Sequence, residues 1–113
     1  AMLAFGSDAP VESPDPFAGL AAAFTRTDSD GQPFGGWRPQ EAVSREQALA
    51  AFTANASYAG FGEGRFGKLV VGERADFVLV DQDPLLATPE QVRRTKVRET
   101  WVGGRRVYAA DTE

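Results

Sequence analysis

Glycines at positions 60, 62, 64 and 67 divide this chain into two stretches that cannot share one helical periodicity. Glycine costs a helix interior about 1 kcal/mol relative to alanine, so four within eight residues stop any helix there. Before them, Ala48, Leu49, Phe52, Ala56 and Ala59 recur at helical spacing. Ser44 with Gln47 three residues on is a capping box, so a helix is expected over residues 45–59 with Gly60 at its end. Its alanine-rich face should pack closely against something large and flat.

Upstream, Met2 to Phe5 is a short apolar run that stops at Gly6-Ser7-Asp8. An apolar run without a polar lead-in reads as a buried strand entered midway, which predicts a fragment of a larger protein. Pro10, Pro14 and Pro16 then exclude a helix from residues 8–16. Phe17, Leu20, Ala21 and Phe24 share one helical face, so residues 17–26 are expected to be helical. Residues 27–39 carry loop composition throughout.

Downstream of the glycines the pattern is mostly that of strands. Residues 75–80 (ADFVLV) form one, bounded by Gly72 and by Asp81-Gln82-Asp83-Pro84. Thr88-Pro89-Glu90-Gln91 is a second capping box, opening a turn or two of helix to about Arg94. Residues 96–102 and 105–109 flank Gly103-Gly104, a two-residue turn of the primed type. That turn sets Val102 opposite Arg105, Trp101 opposite Arg106, Thr100 opposite Val107 and Glu99 opposite Tyr108. With apolar groups on both faces, four strands are expected and both faces need cover.

Composition narrows the chemistry. The chain has no cysteine and no histidine, which removes disulfides, thiolate nucleophiles and the commonest metal ligand and general base. Sixteen acidic against twelve basic residues give a net charge of −4, which disfavours a dedicated nucleic-acid binder. Half of the basic residues do fall between Arg93 and Arg106, but without an aromatic platform they read as solvated hairpin edges. No apolar run approaches the roughly 20 residues of a membrane-spanning helix. No membrane partner is expected, and a cytoplasmic location is.

Two letter patterns are set aside. Gly62-Glu63-Gly64-Arg65-Phe66-Gly67 matches GxGxxG, but a helix precedes it and a strand follows, the reverse of what pyrophosphate binding at a helix start requires. No cofactor-binding residue is therefore assigned. Asp28-Ser29-Asp30-Gly31 is similar to a calcium loop, yet glycine falls at the fourth position instead of the sixth and Pro39 occupies the twelfth.

Gly6-Ser7-Asp8-Ala9-Pro10 carries the most chemistry. An acidic residue where a buried strand ends and a stiff loop begins is where barrel enzymes place function. Such a carboxylate can hold a divalent metal and relay a proton to a leaving amine. It can equally cap its own loop through the backbone, as aspartate often does.

The order of GSDAPVESPDP, the helix at 17–26, GGW at 35–37, the alanine-rich helix running into GKLVVGERAD at 67–76, and KVRETWVGGRRVYA at 96–109 resembles the end of an amidohydrolase superfamily enzyme. The likeness is greatest to the branch that includes N-substituted formamide deformylase, and it covers essentially the whole chain. It implies an α+β fragment. Residues 1–62 would hold the last strand and helix of a (β/α)8 metal-dependent hydrolase barrel. Residues 63–113 would be the C-terminal part of a small β-sandwich, the composite domain. It also implies hydrolysis of carbon–nitrogen bonds other than peptide bonds in a small amide-like substrate. Asp8 would be the catalytic aspartate, metal ligand and proton shuttle, with a divalent metal, usually zinc, in the full-length enzyme. Asp76 matches the family's A-D and is expected to cap a turn.

The family's His-x-His, bridging lysine or carboxylate, and later histidines have no counterpart here. Since catalytic sites take about three protein ligands, the chain alone is expected to hold no catalytic metal and to be inactive. Ser7, Glu12 and Trp37 are expected near substrate by position, with Asp15 on the same loop as Glu12. The face of Leu3, Phe5 and the long helix would be left uncovered, predicting a homodimer or domain-swapped association. The contrasting expectation is a small free-standing β-rich interaction module without catalysis, recruiting a partner strand at its hairpin edge.

Overall fold

Ser44 and Thr88 each start a helix in the way their spacing predicts. In the computed structural model, which describes residues 2–111, both capping boxes are complete. The Gln47 backbone N–H donates to Ser44 Oγ at 3.0 Å and the Ser44 N–H donates to Gln47 Oε1 at 2.8 Å. Thr88 and Gln91 repeat the exchange at 3.2 and 2.9 Å.

In chain order the elements are α1 (Phe17–Thr25), a short 3-10 turn at Pro39–Glu41, α2 (Arg45–Phe52), α3 (Ala54–Ala59), β1 (Phe77–Val80), α4 (Pro89–Arg93), β2 (Val97–Val102) and β3 (Arg105–Ala109). The helix expected over residues 45–59 is thus two helices. They break at Thr53, whose backbone leaves the helical region (φ −122°, ψ −91°). The Thr53 hydroxyl donates to the Leu49 carbonyl at 2.7 Å, a local bond that competes with the helix ladder.

The strands form one antiparallel sheet in the order β1-β2-β3. Gly103 and Gly104 both take positive φ (60° and 76°), as a primed hairpin turn requires. The expected register holds for Val102 opposite Arg105 and Trp101 opposite Arg106, then shifts. Thr100 faces Tyr108 and Glu99 faces Ala109, so Val107 is the extra residue of a bulge. Tyr108 thereby moves to the face of Thr100, instead of sharing that of Val97 and Trp101. Across β1 and β2, Phe77 opposes Trp101 and their rings stack at 5.6 Å with 9° between planes.

Two strand expectations are corrected. Among the described residues the sheet has three strands, not four, and the exposed Leu69 to Val71 segment is bends and turns. Residues 2–8 form no strand either. The Phe5 N–H donates to the Ala51 carbonyl of α2 at 3.0 Å, and no neighbouring strand is present for this segment to pair with among the described residues.

One hydrophobic cluster spans both halves of the sequence. Phe17, Leu20 and Ala21 of α1 meet Ala48 of α2, Ala87 before α4 and Val92 of α4, with Phe24, Phe52, Val80 and Val97 around them. Two arginines tie the same elements. Arg45 Nη1 donates to the carbonyls of Pro84 (3.0 Å) and Ala87, and its guanidinium lies over the Phe24 ring at 4.4 Å. Arg93 reaches Thr27 Oγ1 from α4. Of the face the sequence marks, Ala48 is buried and joins this cluster with Phe52 packed against it, while Ala51, also buried, lies outside the cluster. No helix among the described residues is long and apolar enough to cross a membrane.

Candidate active site

The extended segment before Asp8 lies against α2. Besides the Phe5–Ala51 hydrogen bond, the Phe5 ring meets Phe52 edge-on at 5.6 Å and 72°. Ser7 is half-buried, and Asp8 itself is exposed. Asp8 adopts φ 58°, and its carbonyl accepts the Val11 N–H at 2.9 Å, closing a tight turn. Left-handed backbone is unfavourable for most side chains, and aspartate tolerates it better than most. The carboxylate takes no part in that turn bond, which uses the backbone oxygen.

Glu12 is exposed on the same loop. Asp15 acts locally, because its Oδ1 accepts the Phe17 N–H at 2.9 Å at the start of α1. Trp37 lies on the loop after α1, held there by Arg26 and Arg38, whose guanidinium carbons stand 5.0 and 4.8 Å from its ring centroid. Neither arginine stands out in the sequence; Arg38 adjoins Trp37 in the chain, but Arg26 is eleven residues away.

Asp76 caps a turn, though a distant one. Its Oδ1 accepts the Gly103 N–H of the hairpin at 2.7 Å and lies 3.6 Å from Arg74. The GxGxxG segment folds as a turn after α3, where the Gly62 carbonyl accepts from Arg65 and Phe66. Asp28 turns its carboxylate onto the N–H groups of Asp30 and Gln32, both at 2.9 Å, which makes the calcium-like segment a surface turn.

A catalytic metal needs more donors than this chain brings together. Among the described residues no three His, Cys, Asp or Glu side chains come together to hold an ion. About three protein ligands are needed, so the chain's own described residues do not fit a whole metal centre.

The arrangement of helices and sheet has a counterpart among solved structures. A solved amidohydrolase from Thermotoga maritima MSB8 superposes on 97% of this chain with a TM-score of 0.64, using 24% of its own length at 19% identity. At sequence level, the amidohydrolase family profile matches residues 2–108, and the chain belongs to that family. YtcJ of Bacillus subtilis (strain 168), named as a putative amidohydrolase, is 30% identical over 95% of the chain, which covers 20% of YtcJ. Protein LONG AFTER FAR-RED 3 of Arabidopsis thaliana is 33% identical over 96% of the chain and 18% of its own length. The N-substituted formamide deformylase of Arthrobacter pascens is 28% identical over 90% of the chain and 18% of its own length. The chain thus spans about a fifth of the curated relatives it matches.

Proposed function

We propose that this chain is the C-terminal portion of a metal-dependent amidohydrolase that cleaves carbon–nitrogen bonds other than peptide bonds in small amide-like molecules. The observation that carries the reading is Asp8, presented in left-handed backbone where an extended segment hooked onto α2 ends. Family membership and the likeness to an N-substituted formamide deformylase support the reaction class. They do not favour a free-standing interaction module.

In the whole protein Asp8 would supply one oxygen ligand to a divalent metal, zinc by the usage of the family, and would carry a proton between water and the departing amine. When bound, such a metal activates water and polarises the amide carbonyl. On this reading residues 1–62 close the barrel and residues 63–113 give the C-terminal share of the composite sandwich. Ser7, Glu12 and Trp37 border the substrate. Of the face of Leu3, Phe5 and the long helix, Phe5 packs against Phe52 while Leu3 is exposed; on this reading the remainder of the protein covers Leu3, and the isolated chain self-associates as a dimer or swapped form.

The test is amine release by the full-length parent from a panel of N-substituted amides, before and after chelation. Release that stops on chelation and returns with a divalent metal supports the reading. Release from no amide, or release indifferent to chelation, overturns it.

A further inference from the structure

Trp37 and its two arginines form a fixed cationic surface with no anion of its own among the described residues. We propose that Arg26, Trp37 and Arg38 bind the carboxylate of a small planar organic anion, a claim that does not rest on the role of Asp8.

The surface is held by backbone. Arg26 ends α1 in left-handed conformation (φ 60°), and its N–H donates to the Ala22 carbonyl. The chain returns through Gly36 so that the Trp37 N–H donates to the Arg26 carbonyl at 2.8 Å. Arg26 Nε in turn donates to the Trp37 carbonyl at 3.0 Å. Only glycine permits this approach: a Cβ at Gly36 (φ +88°) would stand 2.5 Å from the Thr25 carbonyl oxygen. The indole is placed by this clasp, not by burial, and remains 57% exposed.

Both guanidinium groups lie within 5.0 Å of one ring centroid, and Arg38 also takes left-handed backbone (φ 50°). Among the described residues, none of the ion pairs involves Arg26 or Arg38. The nearest carboxylates in sequence do not serve them: Asp28 is turned onto its own loop, and Glu41, three residues after Arg38, makes no ion pair. Of the two tryptophan indoles, that of Trp101 donates to Glu99, whereas that of Trp37 has no acceptor among the described residues.

Two like charges held within 5.0 Å of one ring centroid repel, and an oxyanion paired with either guanidinium relieves that repulsion. A guanidinium fork matches the two oxygens of a carboxylate, and stacking on the ring has already restricted its freedom. The indole N–H is a third donor, and the exposed part of the indole beside the two guanidinium groups offers apolar contact to a flat organic body.

The test is calorimetric titration of the full-length parent with benzoate, with neutral benzamide of the same shape, and with inorganic phosphate. Benzoate should bind saturably and about tenfold or more tightly than benzamide. Arg38→Gln should lose about tenfold in benzoate affinity, with Arg38→Lys in between. Equal binding of benzoate and benzamide, or unchanged binding by R38Q, would overturn the proposal. No benzoate binding, with R38Q lowering the melting temperature, would assign the arginine to a carboxylate of the parent protein itself and also overturn it. Phosphate bound in preference to benzoate, and lost in R38Q, would overturn the carboxylate assignment in favour of phosphate esters. Amide hydrolysis is not read in this experiment, so its failure leaves the reaction class untouched.

Discussion

Replacing Val92 with alanine should loosen both halves of the chain together. Val92 sits on α4 with its side chain fully buried, and the cluster it joins includes Phe17, Leu20 and Ala21 of α1, about seventy residues earlier. The substitution removes two methyl groups, about 0.8 kcal/mol each by transfer. The cavity left behind adds to that, because helices tied by Arg45 and Arg93 cannot close on it freely. The expected loss is about 2–3 kcal/mol in the opening free energy of this cluster. Hydrogen exchange of the full-length parent, read by mass spectrometry, reports that energy locally. Peptides covering α1 and α4 should both exchange roughly 30- to 150-fold faster, at tenfold per 1.4 kcal/mol. The exposed Leu86→Ala serves as control and should change neither. If α4 accelerates while α1 keeps its wild-type rate, the two halves open independently and the shared core is refuted.

Other expectations follow from single contacts. Ser44→Ala removes the side-chain acceptor that begins α2 and should cost about 1 kcal/mol, seen as faster exchange in the first turn of that helix. Equal protection of wild type and variant would discount the cap. Gly67→Ala would place a Cβ 2.6 Å from Ser57 Cβ at φ +109°. It should cost at least about 2 kcal/mol in chemical denaturation, and a neutral result would mean the turn relaxes freely. Asp76→Ala removes the acceptor for the Gly103 N–H and should cost about 1–2 kcal/mol, with faster exchange at the hairpin turn but not in α2.

What the sequence makes legible is local. The capping boxes at Ser44 and Thr88 need only residues three apart, and the Gly103-Gly104 turn needs only its own backbone, so each reads directly from the letters. The break at Thr53 escapes a periodicity argument, since apolar spacing continues through it while one hydroxyl bond to Leu49 unseats the ladder. The bulge at Val107 escapes for a related reason: alternation cannot tell a paired residue from an extra one. The segment at residues 2–8 has strand-like letters, but pairing needs a partner strand and its backbone meets a helix carbonyl instead.

The candidate site divides in the same way. Asp8 stands out because proline and glycine mark its loop, and the family resemblance gives that position a role to test. The contact between Asp76 and Gly103 joins residues twenty-seven apart and leaves no local signature. The clasp between Arg26 and Trp37 likewise forms only once α1 and the glycine turn are in place.

Turnover by the Asp8→Asn variant of the full-length parent is the most direct measurement of the central claim. Amine release from an amide substrate should fall by about a hundredfold or more, with an unchanged circular dichroism spectrum, because asparagine keeps the shape but cannot carry the proton. A folded variant that retains turnover within about twofold of wild type would show that Asp8 only closes its own turn, and the assignment would be wrong.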